Sequence, residues 1–303
     1  MAAGFFLRAP PPMFSILFAV IAPVALVVLV GYLWGLRKQP FDAISFSMVS
    51  TYVGTPCLVV DSLSTSGLKL PSLEAMGAAA VLCVALALAA GYVLVKISGL
   101  PVATYLPAST FANNGNIGLP LALFAFGEAG MNLAIAYFAV HNAFNFTIGQ
   151  GLAARRLTVR DAVLSPLIWA CVLGAVLSVT GWALPQSIAR ALHIFAGLTI
   201  PMMLMALGVS LSKLTVKTWL WPLAFSALRL FGGFAIGWAV AWGLDLHGVA
   251  RGVVVMESAM PVAVYNYMFA ARYDNNPEDV AALVVLSTLM AFVALPGFLV
   301  TVM

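Results

Sequence analysis

The stretch NNGNIGLP, residues 113–120, lies inside an apolar segment long enough to cross a membrane. Three amide side chains, two glycines and a proline interrupt that segment near its middle. Glycine and proline weaken a helix, and in hydrocarbon each freed backbone group would cost several kcal/mol. The stretch therefore predicts a broken membrane helix whose backbone lines a polar cavity. The alternative is a kinked helix in which the glycines allow close packing.

The composition of the whole chain supports a membrane setting. Of its 303 residues, 63 % are apolar and only 8 % are charged. An ordinary soluble domain is about 45–50 % apolar and about 25 % charged. This excludes a soluble enzyme, a nucleic-acid binder and a disordered protein, and it predicts an all-α polytopic membrane protein whose surface contacts the lipid bilayer.

Apolar windows of the length needed to cross a bilayer predict ten transmembrane helices. The segments lack the alternation of a membrane barrel, so helices are expected. The predicted spans are residues 14–36, 41–63, 73–96, 101–125, 129–151, 162–184, 190–212, 218–243, 248–271 and 279–303.

The basic residues indicate an orientation. With the N-terminus outside, nine of the 14 Lys and Arg residues lie in inner loops, four lie in outer segments, and Arg229 lies inside a span. Cytoplasmic loops are usually the more basic ones. The sequence therefore predicts a multi-pass protein of the cell (inner) membrane with both termini on the non-cytoplasmic side.

Paired prolines indicate an internal repeat. The pairs are Pro23 and Pro166, Pro56 and Pro201, and Pro120 and Pro261, which are 143, 145 and 141 positions apart. One common offset predicts a duplicated unit, and an odd number of spans inverts its second copy, as in many secondary transporters. We expect a first five-helix repeat over 1–154, a short cytoplasmic linker over 155–161, and an inverted second repeat over 162–303, with broken crossover helices at spans four and nine.

The two predicted breaks would meet near the middle of the membrane. Counting back four residues from the third proline pair places Glu257 opposite Asn116. Half-helices beginning near Gly118 and Ala259 would direct their positive ends and unpaired N–H groups at one small volume. An anion binds well at such an end, so an organic carboxylate is the expected ligand.

Two charged residues are predicted at a similar depth in the membrane. Arg229 lies about 12 residues into span eight and Glu257 about 10 residues into span nine, which runs in the opposite direction. Intramembrane charges are usually paired or functional. Either the two form a buried ion pair, or Arg229 is a countercharge for the substrate, or Glu257 is a proton or cation site.

Other polar residues complete the predicted site. His141 and Asn145 share one face of span five, and His141 is either a proton carrier or a hydrogen-bonded structural histidine. The candidate substrate-binding residues are Asn113, Asn114, Asn116, Gly118, Pro120, Asn145, Glu257, Ser258, Pro261, Tyr265 and Asn266, and the candidates for coupling or an ion pair are Arg229, Glu257 and His141. The sequence has no H-E-x-x-H, G-x-S-x-G or Walker motif, so we expect no catalytic residue, metal or cofactor.

These motifs resemble the auxin efflux carrier family, within the superfamily that also contains bile-acid symporters. The marks of the resemblance are residues 113–120, 260–262, 269–273, Pro277 and 294–296. The resemblance implies ten helices, with spans four and nine crossing at prolines that match Pro120 and Pro261. It implies a scaffold of spans one, two, six and seven, and a mobile unit formed by the other six.

The resemblance also implies a substrate class. Family members move organic anions, which are auxin in plants and malate or malonate in bacterial relatives. Asn113 lies seven residues before the first crossing proline, at the position of an asparagine that helps to bind the substrate carboxylate in plant members. The long cytoplasmic loop of many plant members is absent here, which indicates a compact carrier of bacterial type. The resemblance allows a homodimer.

The sequence thus favours a secondary carrier of a small mono- or dicarboxylate that works by alternating access. A sodium- or proton-coupled symporter that uses Glu257 or His141 is an alternative within the same class. A membrane receptor or sensor built on a transporter fold is an alternative from another class. A membrane-embedded enzyme would need a nucleophile–base pair or a metal cluster, and the sequence shows neither.

Overall fold

The computed structural model describes residues 13–65, 69–156, 166–213 and 219–303, and its regular elements there are all helices. Most of the predicted linker, from residue 157 onward, lies outside the described residues. The helices are α1 Met13–Leu36, α2 Ala43–Val49, α3 Thr55–Thr65, α4 Leu70–Ile97, α5 Val102–Thr110, α6 Leu119–Phe144, α7 Gln150–Ala153, α8 Pro166–Thr180, α9 Gln186–Lys213, α10 Leu220–Ala227, α11 Gly233–Gly243, α12 Gly248–Ser258, α13 Val264–Arg272 and α14 Pro277–Val302.

Several helices are joined by single turns of π-helix. Ser50–Gly54 connects α2 to α3, Asn114–Gly118 leads into α6, Asn145–Gly149 connects α6 to α7, and Leu228–Gly232 connects α10 to α11. Turns of this kind often occur at functional sites. Three of the four contain a buried residue that the sequence analysis singled out, because they contain Asn114, Asn145 and Arg229.

A glycine divides the long helix that follows the first break. Gly127 has φ 66° and ψ −164°, a backbone conformation that only glycine adopts without strain. The chain therefore changes direction at the predicted junction between spans four and five.

The helix lengths fit a membrane protein. In the part of the chain that the structure describes, five helical segments are long and apolar enough to cross a bilayer, and they are Leu70–Ile97, Asn114–Ala153, Gln186–Lys213, Leu220–Gly243 and Pro277–Val302. Ala22–Leu36 and Pro166–Thr180 are shorter apolar helices. The predicted all-helical polytopic class is confirmed, whereas the count of ten spans and the inverted repeat stay predictions.

The surface and the helix contacts also suit a bilayer. Trp242 and Val293 expose 84 % and 83 % of their surface, an arrangement that is favourable in lipid. Close helix approach depends on small residues, as is usual in membranes. A Cβ built at Gly208 of α9 would lie 2.1 Å from the Val28 carbonyl oxygen of α1, so these two backbones are in direct contact.

The helices form two groups. Helices α1, α2, α3, α8 and α9 pack mainly against one another, and we call them the first helix group. Helices α4 to α7 and α10 to α14 pack mainly against one another and form the second helix group. The two groups meet where α1, α3 and α9 contact α6 and the π turn that precedes it. The candidate site lies at this boundary.

Candidate functional site

Two interrupted helices of the second group meet at their breaks. Helix α5 ends at Thr110 and α12 ends at Ser258, and the chain is non-helical after each end. The extended pieces pair in an antiparallel bridge between Ala112 and Val262. In this bridge the Asn113 N–H donates to the Pro261 carbonyl at 2.7 Å, and the Ala263 N–H donates to the Phe111 carbonyl at 3.1 Å. Helical structure resumes at Asn114 and at Val264.

Four helix ends therefore converge at one buried place. Helices α5 and α12 present their carboxyl ends, while the helices that begin at Asn114 and Val264 present their amino ends. Neither amino end is capped by a side chain. An uncapped amino end carries unpaired N–H groups and a partial positive charge, so it can bind an anion.

A small cavity lies at the first of these amino ends. Its walls come from both interrupted helices, from α6, and across the group boundary from α3 and α9. The lining residues are Thr55, Ala112, Asn113, Gly115, Asn116, Phe138, Asn142, Met203, Ala263 and Tyr265. The cavity is small: the centre of a water-sized sphere can occupy only about 10 Å³ of it, so it has room for about one water molecule. The cavity is thus too small for an organic anion, and the two helix groups would have to separate before it could admit one.

The structure brings three of the predicted site residues to this cavity. Asn113, Asn116 and Tyr265 line it, and Asn113 and Asn116 are 5 % and 9 % exposed. Within the described residues the Nδ2 atom of Asn113 is buried and has no hydrogen-bond partner. An unpaired buried amide donor is costly, so this atom is available to an acceptor in the cavity.

Asn114, Gly118 and Glu257 form a separate buried group beside the cavity. The Asn114 Nδ2 donates to the Glu257 carbonyl at 2.7 Å and to the Glu257 Oε2 at 2.6 Å. A Cβ built at Gly118 would lie only 2.4 Å and 2.7 Å from the two carboxyl oxygens of Glu257. The glycine therefore makes room for the carboxyl group next to the first turn of the helix.

The predicted positions of the two amino ends were wrong. The Gly118 N–H donates to the Asn113 carbonyl, and the Ala259 N–H donates to the Val255 and Met256 carbonyls. Ala259 thus belongs to the carboxyl end of α12. The chain leaves the helix before the glycines and the proline of residues 113–120, and Pro120 stands in the first turn of α6, where proline is tolerated.

The proline pairing also misplaced the crossing, by which we mean the place where the non-helical residues 111–113 and 259–263 meet. Ala112 faces Val262, so Pro261 adjoins the bridge, whereas Pro120 lies beyond the following π turn. The Glu257 side chain bonds with Asn114, so Glu257 does not lie opposite Asn116 as predicted. The crossing at a position matching Pro120, which the resemblance implied, is therefore not found.

The two buried charges are not an ion pair in the part of the chain that the structure describes. The carboxyl group of Glu257 bonds with Asn114, and the guanidinium of Arg229 bonds with backbone carbonyls only. The ion-pair alternative is therefore wrong. Glu257 and Arg229 instead bond with different groups, Glu257 with the Asn114 amide and Arg229 with backbone carbonyls.

His141 and Ser258 lie at a second small polar cavity, together with Arg229. This cavity is also lined by Cys83, Thr110 and Tyr137. The Ser258 Oγ donates to the Cys83 Sγ at 3.2 Å and lies 3.1 Å from the Tyr137 hydroxyl. His141 packs against the rings of Phe111 and Tyr137, and its Nδ1 has no partner among the described residues. His141 is thus placed away from the asparagine-lined cavity.

The two remaining amides are both buried, and Asn266 contacts the place where the two interrupted helices meet. The Asn266 Nδ2 donates to the Phe111 carbonyl at 3.1 Å. Asn145 is 1 % exposed in the π turn after α6. Of the cavity residues that were not predicted, Asn142 lies on the polar face of span five, which was a usable signal. Thr55 and Met203 come from the other helix group, and only tertiary packing shows that they reach the site.

Comparisons with known proteins find similarity to membrane transporters. A family model described as "Membrane transport protein" matches residues 152–299. An uncharacterized transporter of Methanocaldococcus jannaschii is 24 % identical over 288 residues, which cover 89 % of this chain and 93 % of that protein. An uncharacterized transporter of Methanothermobacter thermautotrophicus is 27 % identical over 62 % of this chain and 64 % of its own length. Auxin efflux carrier component 8 of Arabidopsis thaliana is 24 % identical over 44 % of this chain and 38 % of its own. The resemblance to auxin efflux carriers is confirmed.

Proposed function

Because this chain resembles membrane transport proteins, we propose that it is a secondary carrier for a small organic anion, a mono- or dicarboxylate, and that it works by alternating access. It would cross the cell membrane ten times as two inverted five-helix repeats. The helices interrupted near Ala112 and Val262 would be its crossover helices, and both termini would lie on the non-cytoplasmic side.

One observation carries the proposal, namely the small cavity at the uncapped amino end that begins at Asn114. The cavity is bounded by both interrupted helices on one side and by Thr55 and Met203 of the first helix group on the other. A ligand held there would touch both groups. A relative movement of the groups would then expose the ligand to one side of the membrane or the other.

The chemistry of the cavity favours a carboxylate. Among the described residues its lining contains no charged side chain, so the positive partial charge of the helix end and the amide donors of Asn113, Asn116 and Asn142 would select the ligand. Preformed N–H groups at a helix end bind anionic oxygens well. Ala263 and Tyr265, from the start of the second amino end, face the same volume.

Anion binding can be tested on the purified protein and in vesicles. A thermal-shift screen of small carboxylates should find a ligand, because binding to the native state raises its stability. We expect that ligand to be taken up by proteoliposomes with saturation. Asn113→Ala should weaken both binding and uptake by about ten- to a hundredfold, since a buried hydrogen bond to a charged group is worth roughly 1.5–3 kcal/mol.

Gln186→Ala is the matched control for that experiment. Gln186 is an exposed amide at the start of α9, away from the crossing, so its removal should leave binding and uptake unchanged. Uptake that Asn113→Ala leaves intact would disprove the assigned site. Carboxylate binding without any uptake would favour a receptor or sensor.

A proton- or sodium-coupled symporter is the second candidate, and Glu257 is the reason. Its Oε1 atom is buried and unpaired in the described part of the chain, although it lies beside the site. Buried acidic groups inside membranes commonly carry protons or bind ions. Uptake should then follow a proton or sodium gradient and lose that dependence in Glu257→Gln. Uptake that ignores both gradients would exclude coupling.

A further inference from the structure

Arg229 is a buried arginine whose partners are all backbone carbonyls. It lies in the π turn between α10 and α11 and is 4 % exposed. Its Nε donates to the Met260 carbonyl at 3.1 Å, and its Nη1 donates to the carbonyls of Thr110 and Ser109 at 3.1 Å and 3.3 Å. Its Nη2 donates to the Ser258 carbonyl. The guanidinium thus bridges the two interrupted helices.

Three of these carbonyls belong to the last residues of α5 and α12, and the fourth, that of Met260, lies two residues beyond the end of α12. The last carbonyls of a helix lack partners within it and carry a partial negative charge. Glu257, the nearby buried acid, directs its carboxyl group to Asn114 instead. Within the described residues, two helix ends therefore stabilise the buried positive charge, and no carboxylate does so.

The surroundings of Arg229 are shaped for a guanidinium. Its planar fork has five N–H donors, whereas a lysine ammonium has three donors at a single point. Gly233 follows one turn later, and a Cβ there would lie 2.1 Å from the Ser258 carbonyl oxygen and 2.8 Å from the Nη2 of Arg229. The missing side chain at this position lets the guanidinium and α12 come together.

We propose that Arg229 is the positioning residue of the candidate site, a fixed cation that fastens the carboxyl ends of α5 and α12 together. Only residues 111–113 separate the first carboxyl end from the amino end at Asn114, and only residues 259–263 separate the second from the amino end at Val264. Fixing the carboxyl ends therefore fixes the amino ends that would hold the anion. This role rests on the proposed function, but it can be measured without any substrate.

A consequence concerns metal cations. In transporters with broken helices, free carbonyls at carboxyl ends commonly coordinate a sodium ion. Here the guanidinium occupies the carbonyl cluster. The cluster formed by Ser109, Thr110, Ser258 and Met260 should therefore bind no metal cation while Arg229 is present.

The test is chemical rescue of the full-length protein in detergent, followed by thermal unfolding. Arg229→Ala should lower the Tm by about 10 °C, because several buried carbonyls lose their donors. Methylguanidinium should then raise the Tm of Arg229→Ala and recover at least half of the loss. It should not raise the Tm of the wild type, in which the same ion acts only as a weak denaturant.

Arg251→Ala is the matched control for the rescue. The Arg251 guanidinium stacks 5.2 Å from the Trp238 ring and has no part in the crossing, so methylguanidinium should not restore stability to this variant. Equal rescue of both variants, or no rescue of Arg229→Ala, would overturn the proposal.

A second pair of variants covers the case in which Arg229→Ala does not fold. Arg229→Lys and Arg229→Met have side chains of similar length, and only the lysine keeps the charge. We expect Arg229→Lys to have the higher Tm, and equal Tm values would overturn the proposal. A Tm of Glu257→Gln that rises in sodium chloride relative to choline chloride would also overturn it, because this variant lacks the buried acid to which sodium could otherwise bind. Because the assay contains no organic anion, a failure of the proposed transport function would leave these results unaffected.

Discussion

The two faces of the crossing are built from the same backbone motif but are completed differently. On one face the carboxyl ends of α5 and α12 meet, and Arg229 donates to three of their carbonyls and to the Met260 carbonyl just beyond α12. On the other face lie the amino ends at Asn114 and Val264, which have no side-chain cap. The protein supplies its own cation to the negative ends, whereas within the described residues no side chain caps the positive ends that border the cavity.

This difference suggests that the carboxyl-end face serves the stability of the protein and the amino-end face serves ligand binding. A helix end that is buried without a partner costs free energy, so an end left incomplete calls for a ligand. The carboxyl-end face is complete and should respond to substitutions through stability. The amino-end face has an unpaired Nδ2 on Asn113 and should respond through binding.

The largest effect is expected from Gly233→Ala on the completed face. The new Cβ would lie 2.1 Å from the Ser258 carbonyl oxygen, which belongs to a backbone that cannot move cheaply. We expect a loss of about 3 kcal/mol in the free energy of unfolding, at the upper end for overpacking. Thermal unfolding in detergent measures this loss.

Gly243→Ala provides the reference for Gly233→Ala. Gly243 ends the same helix, and a Cβ built there has nothing within 4 Å. Its substitution should change stability by less than about 0.5 kcal/mol. If the two variants were equally stable, the close packing of α11 on α12 would not hold the crossing together.

Gly118→Ala tests whether the Glu257 carboxyl group has a structural role, like the carboxyl-end face, or a functional role, like the amino-end face. The new Cβ would displace the Glu257 carboxyl group and break its bond with Asn114, so we expect a loss of about 2 kcal/mol in stability. Removing the carboxyl group should relieve the clash. The double variant Gly118→Ala/Glu257→Ala should therefore lose less than the sum of the two single losses, by about 1 kcal/mol or more. Additive losses would show that the carboxyl group is free to move, as a proton or ion carrier would be.

The sequence predicted the class of the fold and the residues at the crossing. Low charge and long apolar windows were enough for the class, and the asparagines and glycines of residues 113–120 marked a backbone that a lipid-facing helix could not contain. Asn113, Asn116 and Tyr265, which were candidates from the sequence, line the cavity, and their role in substrate binding stays a prediction. These signals are local, because each depends on residue types within one segment.

The sequence did not predict where the helices restart or which helix end each charge contacts. The proline pairing shifted the register, since Pro120 stands in a first helical turn rather than at the break. An Arg and a Glu at similar depths suggested an ion pair. Backbone carbonyls can also bind a guanidinium, and because every residue has one, the residue types do not show which carbonyls will do so. The partners of Arg229 lie between 29 and 120 residues away along the chain, so only the tertiary structure reveals them.

The smallest effect is expected where the two helix groups touch outside the crossing. The Ser62 Oγ of α3 donates to the Asn132 Oδ1 of α6 at 2.6 Å, and opening of the cavity would break this bond. Ser62→Ala should remove about 1 kcal/mol from the closed form. Because the anion must enter an open form, its apparent affinity should rise by up to about fivefold. Ser64→Ala is the control, since the Ser64 Oγ donates within α3 to the Asp61 carbonyl and should leave affinity unchanged. An affinity that Ser62→Ala does not alter would mean that the groups do not separate at this contact.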